Sequence, residues 1–165
     1  MKSRDLIPPV IASAIRGWFS GPVELYGSYA DALLRCSERG YENEDIVEIV
    51  VAKTRNYREL LARGDLHSTQ INATSSYGLC AILASLKWPE MNIVDFGGGA
   101  GAHYLLARAI LPPSIRLNWA VVETPAMVQK AKESLSSEEL QFHADLAEAA
   151  SSMGRVDLLH SSGTL

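Results

Sequence analysis

The chain has 165 residues, 47% hydrophobic and 21% charged, a balance that belongs to globular proteins and excludes a disordered tail or a fibre. Fifteen Lys and Arg against 19 Asp and Glu leave a formal net charge of −4. No basic run forms the stripe that sequence-independent phosphate binding needs, so nucleic acid is not an expected partner.

Two cysteines, Cys36 and Cys80, stand far apart and outside any CxxC. That removes a disulfide framework and a thiolate zinc site, and a reducing cytoplasm is the expected setting. At the N-terminus, MKSRDLIPPVIASAIRGW sets basic residues ahead of an apolar stretch, but Asp5, the Pro8-Pro9 pair and Arg16 leave too short an apolar core for a signal peptide. Nothing approaches the roughly 20 apolar residues of a membrane span. Ile7, Val10, Ile11, Ile15 and Trp18 are read as packing against the rest of the protein, with a peripheral amphipathic membrane contact as the alternative.

Up to about residue 90 the sequence reads as helix and turn. Ser28 to Arg39 predicts a short helix stopped by Gly40. Asn43 then caps a longer one, in which Ile46, Val47, Val50, Tyr57, Leu60 and Leu61 recur at helical spacing. Glu44 and Asp45 occupy its favourable first turn and Gly64 follows its end. Thr69 to Leu86 predicts a third helix, apolar over a wide arc and therefore expected to be well buried, ending before Trp88-Pro89.

The character of the chain changes at Met91. Met91 to Phe96 predicts a strand, followed at once by Gly97-Gly98-Gly99-Ala100-Gly101 and a helix to Leu111 that Pro112-Pro113 ends. Leu117 to Glu123 predicts a second strand. Thr124 serves as N-cap, with Pro125 at the first position of a helix running to about Leu135. Leu140 to His143 and Val156 to His160 supply two further strands. Strands alternating with helices imply right-handed crossovers and a parallel sheet. The expectation is an α/β, Rossmann-like domain over 91–165, preceded by an N-terminal helical region over 1–90.

Glycines between a strand and a helix let the chain turn sharply and let a ligand approach the backbone. The same letters satisfy two codes. Gly97-x-Gly99-x-x-Ala102 fits the dinucleotide fingerprint, and Asp95-x-Gly97-x-Gly99-x-Gly101 fits the S-adenosylmethionine loop of class I methyltransferases. Asp95 bears on the choice, because a pyrophosphate at this helix N-terminus is ill served by a neighbouring negative charge, whereas a ligand bearing an ammonium and a sulfonium suits it. An Asp that merely ties down the turn is the plain alternative. Glu123, at the end of the second strand, stands where an acidic side chain commonly accepts ribose hydroxyls, and Thr124 follows against the expected adenine. Asp145, just past the third strand, can accept from an adenine amino group.

The series IVDFGGGAGAHY, WAVVETPAMVQKAKE, LQFHADL and VDLLHSSGTL resembles the first four strands of a class I S-adenosylmethionine-dependent methyltransferase. With LYGSYADALLRCSERGYENEDIVEIV ahead of it, the chain resembles a family of bacterial methyltransferases encoded near surface-polysaccharide genes. The resemblance implies S-adenosylmethionine as cofactor, held by Asp95, Gly97, Gly98, Gly99, Gly101, Glu123, Thr124 and Asp145, and a small-molecule or glycan-linked acceptor. No Asn/Asp-Pro-Pro-aromatic sequence follows the fourth strand, where Ser161-Ser162-Gly163 stands, so the resemblance does not extend to enzymes that methylate nucleic-acid amino groups.

Methyl transfer from a sulfonium depends mainly on in-line positioning, with deprotonation of the acceptor as an addition. His160, at the end of the fourth strand, is the candidate base. His103 and Tyr104 follow the loop and are candidates to touch the cofactor's carboxylate. His67 and His143 lack neighbours at ligand spacing, and no metal is expected. A nicotinamide-dependent oxidoreductase and a non-catalytic nucleotide-binding module are the competing readings. The family fold continues with three further strands, so the chain is expected to be C-terminally truncated, with a fourth-strand edge open to self-association.

Overall fold

The computed structural model of the chain describes residues 26–28, 30–31, 43–65 and 73–161. The chain divides into two compact units, Met1–Glu38 and Arg39–Leu165. In the first, the Ser28 hydroxyl donates to the Asp31 carboxylate at 2.8 Å and accepts the Asp31 N–H at 3.2 Å. Residues 30–31 are helical, inside the predicted Ser28–Arg39 helix, the rest of which lies outside the described residues. The apolar N-terminal residues, Cys36 and His67 also lie outside them.

The second unit runs α1 (Glu44–Ala62), α2 (Ala73–Leu86), β1 (Glu90–Phe96), α3 (Ala102–Ile110), β2 (Arg116–Val122), α4 (Pro125–Ser134), β3 (Leu140–His143), α5 (Leu146–Met153) and β4 (Leu158–Ser161). Local chemistry explains most boundaries. The Asn43 side chain accepts the Asp45 N–H at 2.9 Å and starts α1. Gly64, at φ +81°, lies just past its end. After α3 the Arg108 guanidinium donates to the carbonyls of Ile115, Leu111 and Pro112 at 2.7, 3.2 and 2.7 Å, fixing the turn into β2.

All pairings in the four-stranded sheet are parallel, in the order β3-β2-β1-β4. Side chains alternate across it. Met91, Ile93, Leu117, Trp119, Val121, Leu140 and Phe142 point to one side. There they form the main core with Val47, Val51 and Tyr57 of α1, Leu79 and Leu83 of α2, Leu106 of α3, and Met127, Val128 and Ala131 of α4. Val94, Ala120 and Val122 point to the other side and meet Ala149 and Met153 of α5. The helices α1 and α2 thus share a core with the sheet.

One boundary and one buried face differ from the sequence expectation. The fourth strand begins at Leu158 rather than Val156. The Asp157 carboxylate, not a backbone carbonyl, takes the Asn92 N–H at 2.9 Å, so the regular ladder starts one residue later. In α2, Leu79, Cys80 and Leu83 are buried as expected but Ile82 is 53% exposed, so the apolar arc is only partly covered. Among the described residues, no helix is long and apolar enough to cross a membrane.

Burial pushes the Cys80 thiol up to about 11. Because the folded value lies above the unfolded one, this group favours the folded state below about pH 9, and that contribution disappears as pH rises towards 11. In a Cys36→Ser variant, Cys80 is expected to react with a thiol reagent at pH 8 only after denaturant is added, since the thiolate is the nucleophile. Rapid stoichiometric labelling of the folded variant would show that the thiol is accessible after all.

Candidate functional site

The chain steps from β1 outward to β2 and β3, then returns to place β4 on the other side of β1. Parallel α/β sheets bind ligands outside the C-terminal strand ends at this reversal. Here the reversal lies between β1 and β4. Asp95 and His160 face one another across it as register partners, and the glycine loop leaves β1 immediately beside them.

Each loop glycine has its own physical reason. Gly97, Gly99 and Gly101 have φ of +72°, +59° and +85°, values that side chains with a Cβ rarely adopt. Gly98 is required by space: a Cβ there would lie 2.5 Å from both Cγ and Oδ2 of Asp95. Helix α1 packs close by, with Val50 Cγ1 3.7 Å from where a Gly99 Cβ would stand.

Asp95 is fully buried beneath this loop. Its Oδ2 is 3.0 Å from His103 Nδ1 and 3.3 Å from the Trp119 indole nitrogen, which donates to it. Its Oδ1 is buried and has no hydrogen-bond partner. Among the described residues, His103 is the sole ion-pair partner of this carboxylate.

Glu123 follows β2 and closes over the loop. Its Oε1 accepts the Gly99 N–H at 3.0 Å and its Oε2 accepts the Thr124 N–H at 2.9 Å. A carboxylate thus already occupies one of the loop amides. Thr124 stands at the N-cap of α4 as expected, but its side chain makes no capping bond and its buried Oγ1 is unpartnered. Pro125 at the first helical position has no N–H to satisfy, which removes one of the donors that a cap would serve.

Asp145 is exposed, and its Oδ1 accepts the Glu148 N–H at 2.8 Å as the N-cap of α5. That is a structural task the sequence reading had not assigned to it. His143, at the end of β3, lies 3.4 Å from Glu148 without a hydrogen bond. Tyr104 is turned away from the loop residues: its hydroxyl donates to Glu139 at 2.9 Å and its ring meets Trp119 edge-on at 6.0 Å.

The His160 ring lies edge-on to His103 with centroids 4.9 Å apart, and its Nε2 is buried without a hydrogen-bond partner. Burial holds the imidazole below its usual value. The Asp95 charge works against that shift, and His103 adds to it. The neutral ring is therefore favoured at pH 7.

Compared with protein-family models, curated proteins and solved structures, the chain matches none.

Within the unit, the structure gathers Asp95, Gly97, Gly98, Gly99, Gly101, Glu123, Thr124 and His160 at the C-terminal edge of the sheet, with Asp145 beyond β3. What sequence reasoning missed is the convergence of His103 and His160 on Asp95. Linear ligand spacing could not reveal it, because the three residues come from a strand, a helix and a second strand. The available signal was strand order: a β4 beside β1 puts the two strand-end residues next to one another.

Proposed function

We propose that this protein is an S-adenosylmethionine-dependent methyltransferase acting on a small-molecule or glycan-linked acceptor in the cytoplasm. The observation that carries the reading is the pair of carboxylates at the glycine loop, Asp95 beneath Gly98 and Glu123 on the Gly99 amide. A dinucleotide needs such amides for its pyrophosphate. Glu123 already fills one of them with negative charge, which disfavours that ligand and suits a cationic one.

The residues present fit the cofactor: Thr124 offers an unpartnered buried hydroxyl, and Gly97, Gly99 and Gly101 hold the loop in left-handed conformations that leave its backbone bare of side chains. Glu123 would hold the ribose, Thr124 would face the adenine, Gly97, Gly98, Gly99 and Gly101 would let the backbone approach, Asp95 would set the charge beneath the loop, and Asp145 would reach the adenine edge. When bound, the cofactor supplies a methyl group on a sulfonium with a neutral thioether as leaving group. His160, neutral at pH 7 and with Nε2 free, would take the proton from an acceptor hydroxyl.

Calorimetry with S-adenosylmethionine, S-adenosylhomocysteine and NAD tests the reading, and binding of NAD alone would overturn it. Glu123→Ala is expected to weaken S-adenosylhomocysteine binding by about one to two decades, the worth of a charge-assisted hydrogen bond. Because Glu123 also ties the loop through the Gly99 amide, the thermal midpoint of the variant should be measured alongside. Unchanged affinity would remove Glu123 from the site.

A further inference from the structure

The three side chains at the β1/β4 reversal are a buried carboxylate and two imidazoles. Asp95, His103 and His160 each present one ligand atom, and these atoms lie within 4.8 Å of one another. Asp95 has no exposed surface and leaves Oδ1 without a partner, and His160 leaves Nε2 without one. A buried carboxylate is disfavoured unless its oxygens are met by donors or a cation, and here His103 and Trp119 serve Oδ2 while Oδ1 is left over. Among the described residues no Lys or Arg pairs with it.

We propose that Asp95, His103 and His160 form a binding site for a divalent first-row transition cation of the zinc or iron(II) class.

The donor set selects that class. Imidazole nitrogens suit Zn2+, Fe2+ and Co2+, whereas Mg2+ and Ca2+ favour sites built from oxygen alone. Three protein ligands leave coordination positions open, as in catalytic rather than purely structural metal sites. The spacing is close to what such an ion needs. Ligands at the tetrahedral angle, each about 2.1 Å from a metal, stand about 3.4 Å apart, so His103 Nδ1 and Asp95 Oδ2, now 3.0 Å apart, need to part by only about 0.4 Å to admit one. The scaffold is firm on the Asp95 side, where the Trp119 indole N–H holds Oδ2, and His160 is fixed by the β1–β4 register. Such a site lies beside the glycine loop, where an open coordination position can take a hydroxyl or water oxygen and lower its pKa. His160 cannot ligate through Nε2 and accept a proton there at once, so cation binding and a role as general base are exclusive.

The test uses the full chain without a histidine tag, stripped with chelator and titrated separately with Zn2+, Co2+ and Mg2+. One equivalent of Zn2+ is expected to bind with proton release. Co2+ should develop the visible absorption of a nitrogen–oxygen site, and Mg2+ should not compete. His103→Ala and His160→Ala are each expected to weaken Zn2+ binding by at least about 10–100-fold, the loss seen even for residues that only orient a ligand. His160 is the safer variant because it lies on an edge strand and is only partly buried, and circular dichroism checks that each variant folds.

A Co2+ spectrum that stays that of the hydrated ion, or Zn2+ affinity that neither substitution changes, would overturn the proposal and leave a histidine–carboxylate pair in its place. S-adenosylhomocysteine binding by the chelator-treated protein is read separately, so failure of the metal site and failure of the methyltransferase reading are distinguishable.

Discussion

Gly98→Ala is expected to destabilise the protein by about 3 kcal/mol, at the upper end of the usual cost of forcing an atom into a packed site. The new Cβ would stand 2.5 Å from Asp95 Cγ and Oδ2 and 3.0 Å from Oδ1. A flexible side chain on the surface would swing aside. Asp95 cannot, because it is fully buried and its Oδ2 is held by His103 and Trp119. The gain from restricting the unfolded chain, about 0.4–1 kcal/mol for Gly→Ala, is too small to offset the clash. Gly78 supplies the contrast: it lies in α2 with nothing within 4 Å of an added Cβ. There the same substitution is expected to stabilise by up to about 1 kcal/mol. Urea unfolding of the two variants reads the difference directly. A Gly98→Ala midpoint at or above that of the parent would mean that the loop is not packed on Asp95.

Trp119→Ala is expected to cost about 3–5 kcal/mol, the range for deleting a buried aromatic side chain. That is a large share of the 5–15 kcal/mol that typically holds a domain together. The indole is entirely buried on β2, at the centre of the main core, and stands edge-on to Tyr104. Its removal opens a cavity and also deprives the Asp95 carboxylate of a donor. Trp119→Phe separates the two effects, since it keeps most of the volume and loses the N–H. The alanine variant should show a much lower urea midpoint at a similar slope, with phenylalanine between it and the parent. Equal loss in both variants would assign the cost to the hydrogen bond rather than to packing.

The sequence made local chemistry legible. Asn43 before Glu44-Asp45 identifies the start of α1, and Pro112-Pro113 marks the end of α3, because caps and breakers act over a few residues. Alternating strands and helices announced the parallel sheet, and the glycines announced the loop. Other features depend on partners distant in sequence. Glu123 could be placed at a strand end, but its bond to the Gly99 amide follows from how β1 and β2 pair. Asp145 read equally well as a ligand contact and as a cap, since an Asp after a strand and ahead of a helix suits both. The meeting of His160 with Asp95 needed the position of β4, which no local pattern encodes.

The pairing of β1 with β4 has a consequence for local stability. Strand β1 is paired with β2 along all seven of its residues, whereas it pairs with β4 over only four. β4 is half-buried along most of its length, with Leu159 59% exposed. Local opening costs less where fewer backbone bonds and less apolar burial hold a segment. Among the described residues, Asp95 thus sits in a strand paired on both sides and His160 in one paired on a single side. Any ligand that bridges them is linked to the docking of β4: binding holds the strand closed, and each opening of the strand dismantles half of the binding site.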